Sequence, residues 1–168
     1  MSKAFLRESD EPELPDYPPP ALLPTGAKNY LTPGGAQRLR QELSHLLETL
    51  RPPLMAKGAD SEAKRRLHAL DQRIRYLEQS LRTAEVVAPP NPPVDEVRFG
   101  ATVTVRDQDD AVSTYRIVGV DEIDPERGEI SWLSPIARAL LSAKSGQRVA
   151  FKSPAGERRL EVLAVAYE

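Results

Sequence analysis

Leu67-His68-Ala69-Leu70-Asp71-Gln72-Arg73-Ile74-Arg75-Tyr76-Leu77-Glu78-Gln79-Ser80-Leu81 carries apolar residues at positions 67, 70, 74, 77 and 81. Spacings of three, four, three and four gather them on one stripe of an α-helix, the pattern of a coiled-coil seam. This helix begins near Asp60 or Ser61. Upstream, Leu39, Leu43, Leu46 and Leu50 repeat the stripe with spacings of four, three and four. Thr32-Pro33 starts that first arm, with a capping hydroxyl followed by proline at the first helical position. Only Lys57-Gly58-Ala59 separates the arms, and so short a connection sets two helices side by side in opposite directions. The sequence therefore predicts an antiparallel coiled-coil hairpin over residues 30–88. Pro52 and Pro53 interrupt the first arm. Consecutive prolines remove backbone donors and crowd the preceding turn, which predicts a kink or a break there.

Downstream, Pro89-Pro90-Asn91-Pro92-Pro93 forbids continued helix and makes residues 89–94 a stiff linker. From there the pattern alternates as strands do: Val103 and Val105, then residues 115–120, 130–132, 148–151 and 160–167. Turn signals at 107–110, 124–128 and 153–156 separate them. Ser134-Pro135-Ile136-Ala137-Arg138-Ala139-Leu140-Leu141 adds one short helix, expected from Pro135 to about Ala143. The fold class is α+β, a helical hairpin followed by a β-rich domain over 95–168.

With 168 residues, 40% of them hydrophobic and 29% charged, the chain has the composition of one or two small globular domains. Its longest apolar runs are strand-sized, and its N-terminus lacks an apolar core for a standard secretory signal, so no membrane association is expected and the cytoplasm is the default location. The absence of cysteine excludes disulfides and thiolate zinc sites. A net charge of −2 gives no electrostatic reason to bind DNA directly, and a protein partner fits better. Residues 1–29 combine six prolines with acidic residues and read as a disordered tail.

Several of these motifs, in this order, resemble the bacterial GreA/GreB transcription factors. Leu31-Thr32-Pro33-Gly34-Gly35 opens the first arm, and Lys64-Arg65-Arg66-Leu67 through Arg73-Ile74-Arg75-Tyr76-Leu77 is similar to the second arm of GreB-type members. Val97-Arg98-Phe99-Gly100-Ala101, residues 115–123, the Ser-Pro-Ile-Ala-Arg block and Ser153-Pro154-Ala155-Gly156-Glu157 follow. The resemblance implies an FKBP-like C-terminal domain that docks on RNA polymerase at the rim of its secondary channel, through Ser134, Pro135, Ile136 and Arg138. It implies a coiled coil reaching inward, a monomeric regulator with no independent catalysis, and contact with nascent RNA only inside the polymerase complex.

At the hairpin tip the family carries two carboxylates that help the polymerase hold a second magnesium ion, so that the polymerase cleaves backtracked RNA. The corresponding tip here is Gly58-Ala59-Asp60-Ser61-Glu62-Ala63-Lys64, which makes Asp60 and Glu62 the candidate metal ligands, only together with the polymerase; no cofactor is expected in isolation. They stand two residues apart where the family has three, and two residues apart on a helix point about 200° from each other. Relative to typical GreB the tip region lacks about 13 residues, six to seven per arm, which shortens the projection by roughly 10 Å. A magnesium ligand sits about 2 Å from its ion. Two readings stay open: a regulator that occupies the channel with weak or no stimulation of cleavage, and a functional GreB-type cleavage cofactor. Asp60 and Glu62 equally suit a helix cap and a favourable charge at a helix N-terminus.

The basic residues Lys64, Arg65, Arg66, Arg73 and Arg75 make either a solvated helix face or an electrostatic face toward channel walls and RNA phosphate, with Lys64, Arg65 and Arg66 the candidate contacts. His45 and His68 read as surface residues. Trp132 reads as core, and Leu133 as core or part of an apolar docking patch. Nothing resembles the aromatic pocket of a prolyl isomerase.

Overall fold

The computed structural model describes residues 16–168. A helical N-terminal region, made of α1 (Pro33–His45), a π-helical turn (Leu46–Leu50), α2 (Arg51–Ala56) and α3 (Ser61–Thr83), precedes a five-stranded sheet. Thr32 caps α1, its Oγ1 accepting from the Gly35 N–H at 3.0 Å. Asp60 caps α3, accepting from the Glu62 N–H at 3.0 Å.

The expected break at Pro52-Pro53 is replaced by the π-helical turn. A proline ring at position 52 would press on the carbonyl four residues back in an α-helix, and neither proline can donate. Widening the preceding turn to i→i+5 spacing relieves that crowding, and the Arg51 N–H bonds to the Leu46 carbonyl. The chain stays helical, but its apolar face rotates. Leu39 and Leu46 are buried, Leu43 is half-buried, and Leu50, expected in the seam, is 36% exposed while Leu54 takes a place against the core. From α3 the core receives Leu70, Ile74 and Leu77, as the spacing predicts. Between the helices Arg73 pairs with Glu42 and Arg51 with Asp71.

Part of the tail expected over 1–29 lies outside the described residues. Residues 16–28, expected to belong to it, run along α3 instead. Tyr17 packs against the helical core, and the Ala21 N–H donates to the Tyr76 hydroxyl at 3.0 Å. β1 (Asn29–Leu31) then pairs in parallel with β2 (Ala84–Val86), tying together the two ends of the helical region.

After residues 87–101, which contain no regular element, the sheet runs in the order β5-β4-β3-β7-β6. Its strands are β3 (Thr102–Arg106), β4 (Val112–Val118), β5 (Glu129–Ser131), β6 (Arg148–Ser153) and β7 (Gly156–Ala166). All neighbours are antiparallel except β4 and β5. Val103, Val105, Ile117, Leu160 and Val162 face one side, and α4 (Pro135–Leu140) covers them with Ala137 and Leu140. α4 stops three residues short of the expected end because Ser142 has φ 70°, a left-handed conformation that no helix continues through. The Ser142 N–H and the Ala143 carbonyl bond to the backbone of Val97 instead.

Candidate functional site

The candidate residues lie at the tip of the helical region and on the outer face of α4, and a third cluster of polar groups stands at the junction where the helices meet the sheet domain.

At the tip, residues 57–59 turn the chain and Asp60 is exposed, with one carboxylate oxygen committed to the Glu62 N–H. Glu62 pairs with Arg66 one turn along, at 2.5 Å. Each carboxylate is thus engaged by its own helix, Asp60 by the orphan donors of a helix start and Glu62 by an i,i+4 cation. Among the described residues no group of three or more His, Asp or Glu side chains could hold a metal. Two separately engaged carboxylates fall well short of the oxygen shell that magnesium demands. Lys64 and Arg65 point to solvent on the first turn of α3. His45 and His68 are exposed, and the His68 Nε2 lies 3.0 Å from the Gln72 amide.

On α4, Ser134 is the N-cap, its Oγ accepting from the Ala137 N–H at 3.2 Å. Ile136 is half-buried against the sheet core, while Pro135 and Arg138 are exposed. Two of the four residues predicted for docking thus build the helix, and two are presented outward. Trp132 is half-buried, packed on the sheet core and edge-on to Tyr30 with ring centroids 5.0 Å apart. Tyr30 also meets Phe99 at 5.5 Å. Leu133 is half-buried beside it.

The junction has no counterpart in the sequence reading. A 3₁₀ turn, Val120–Glu122, follows β4 and delivers two carboxylates to the base of the helices. Glu122, 5% exposed, accepts from the Thr32 N–H at 3.0 Å, from the Gly119 N–H at 2.9 Å and from the Thr32 hydroxyl. Arg38 of α1 lies 3.8 Å from it and 3.6 Å from the buried Glu129. Gly35 stands so close that a Cβ there would run into the Glu122 carboxylate. Asp121 accepts from the hydroxyls of Tyr76 and Ser80, both on α3. Burial, and then the hydrogen bond to Asp121, push the Tyr76 phenol up to about 12. The only signals in the sequence were the Gly34-Gly35 pair after the helix cap and the acidic pair after a strand. Nothing in their spacing links residues 90 positions apart.

No helix among the described residues is long and apolar enough to cross a membrane. Residues 91–167 match the family model described as "Transcription elongation factor, GreA/GreB, C-term". The transcription elongation factor GreB of Neisseria meningitidis serogroup B is 40% identical, over 85% of this chain and 96% of its own. The GreA of Verminephrobacter eiseniae is 40% identical, over 82% of this chain and 96% of its own. Among solved structures, the elongation factor GreA/GreB of Nitrosomonas europaea is 25% identical over 83% of this chain and 100% of its own, with a TM-score of 0.41. Identity of this extent with relatives spanned almost end to end places the chain in the GreA/GreB family.

Proposed function

We propose that this protein is a Gre-like regulator of transcription elongation that binds bacterial RNA polymerase in the cytoplasm. In this reading an FKBP-like sheet domain docks at the secondary channel through Pro135 and Arg138, with Ser134 and Ile136 shaping the helix that presents them. The helical region is an antiparallel coiled coil entering the channel, with Lys64 and Arg65 facing channel walls or RNA phosphate and Arg66 held beside them by Glu62. The observation that carries the reading is family membership together with a tip whose carboxylates serve their own helix.

The protein occupies the channel with weak or no stimulation of transcript cleavage. Support comes from positions missing within the aligned stretch. Its alignment with the meningococcal relative spans 157 positions yet covers 85% of 168 residues, about 143, so about 14 aligned positions find no residue here. A deficit of that order, if carried by both arms, withdraws the tip by roughly 10 Å. The second reading, a cleavage cofactor acting with polymerase-bound magnesium, keeps one point in its favour: Asp60 and Glu62 both stand at the tip. RNA cleavage in a defined backtracked complex separates the two. Magnesium-dependent cleavage that vanishes in Asp60→Ala/Glu62→Ala would establish the second reading. No cleavage, with competition against an authentic GreB, is the expected result, and failure to co-purify with core polymerase at low salt would refute both.

A further inference from the structure

Besides the pairing of Arg38 with Glu122 and Glu129, three contacts join the base of the helical region to the sheet domain, one from the start of α1, one from the end of α3 and one from β1. Glu122 holds the start of α1 through the Thr32 backbone and hydroxyl. Asp121, the adjacent residue, holds the end of α3 through Tyr76 and Ser80. Tyr30, on β1, meets both Phe99 and Trp132. Two attachment points leave a body free to rotate about the line joining them; a third point off that line removes the rotation. The carboxylate contacts are also directional, because hydrogen bonds weaken steeply away from linearity, whereas apolar surfaces slide with little penalty.

We propose that Asp121, Glu122 and Tyr30 form a three-point mount that fixes the direction in which the helical arms leave the sheet domain. These are positioning residues that act on the tip from its far end. The Ala21 N–H belongs to the same device. By donating to the Tyr76 oxygen it occupies a lone pair and leaves the phenolic hydrogen to point at Asp121. Gly35 belongs to it as well, since any side chain there would push α1 away from Glu122. Leverage makes the mount matter. From Ser80 to the tip the arm is about 30 Å long, so a swing of about 20° at the base carries the tip roughly 10 Å. The functional meaning of that displacement rests on the proposed insertion into the polymerase channel, whereas the mount itself does not.

The absence of cysteine allows a direct test. Spin labels at Ala59→Cys on the tip and Gln108→Cys on an exposed turn of the sheet domain report the separation of the two by double electron–electron resonance. The parent chain is expected to give one narrow distance. Tyr76→Phe/Ser80→Ala removes both hydroxyls that reach Asp121 and leaves the sheet domain untouched. Alanine is a better helix former than serine, so α3 is retained. Gly35→Ala attacks the Glu122 contact independently. Both variants are expected to broaden the distribution and displace its mean by several ångströms, while amide spectra of the residues within each domain stay at their parent positions. Should Gly35→Ala fail to fold, the hydroxyl variant alone decides. A distribution superimposable on the parent's in that variant overturns the mount. With core polymerase, the variants should keep the parent's affinity and lose effect at saturation. A parent that does not bind polymerase refutes the proposed function and leaves the distance measurement to judge the mount.

Discussion

Arg73 on α3 grips Glu42 on α1 with two parallel hydrogen bonds of 2.7 and 2.9 Å, and its guanidinium also lies 5.5 Å from the centre of the Tyr76 ring. Only 9% of the Arg73 side chain is exposed, so the pair is partly withdrawn from solvent. Exposed pairs contribute under about 1 kcal/mol and breaking a buried one costs about 3–5 kcal/mol. Arg73→Ala is expected to fall between, at about 1–3 kcal/mol, read as a lower urea midpoint with an unchanged slope. Arg73→Lys should recover little of it, because an ammonium cannot make the two-pronged contact.

The π-helical turn makes opposite demands on two leucines that a heptad treats alike. Leu46→Ala, at a site 2% exposed, should cost about 2–5 kcal/mol. Leu50→Ala, at 36% exposure, should cost under about 1 kcal/mol. Equal losses in thermal or urea unfolding would restore the uninterrupted seam.

Asp60 can be tested as a helix cap independently of any metal. Asparagine caps as well as aspartate, so Asp60→Asn should leave stability near the parent's while Asp60→Ala loses about 1 kcal/mol. A role as a charged ligand would be impaired by both substitutions, and cleavage assays on the pair separate the two roles.

Tyr76 gives a pH signature. Its phenol, raised from 10.0 to about 12 by burial and by Asp121, holds its proton more tightly in the folded chain than in the unfolded one. The stability from this group is therefore complete below pH 10 and lost as pH rises from about 10 to 12. Burial raises the Tyr17 and Tyr167 phenols as well, so the measurement is a difference. Stability of the parent minus that of Tyr76→Phe should decline across that window, and a flat difference would contradict the assignment.

On α4, Pro135→Asp and Arg138→Glu alter exposed side chains, and aspartate in a first helical turn is electrostatically favourable. Thermal stability should stay within about 0.5 kcal/mol of the parent. Affinity for core polymerase should fall roughly tenfold or more if this face carries the docking.

Much of this architecture was legible because it depends on local chemistry. The caps at Thr32 and Asp60 were readable from a hydroxyl or carboxylate beside a helix start, and Leu70, Ile74 and Leu77 from their spacing. Leu50 misled because a proline pair acts on the turn before it, which periodicity does not register. β1 and β2 are three residues each, too short to show alternation, and their partners lie 55 positions apart. Asp121 and Glu122 look like surface charges in a turn. Their role depends on which groups the fold brings to them, and that is a property of the assembled tertiary structure.

The parallel pairing of β1 with β2 means that the chain leaves for the tip and returns from it at one spot. Everything between, residues 32–83, is a detour whose entrance and exit are stitched side by side. Paired turns removed from its far end would shorten the detour without altering the stitch. Reach and anchorage are thereby separable traits in this molecule, and arm length can drift between relatives while the base keeps its form.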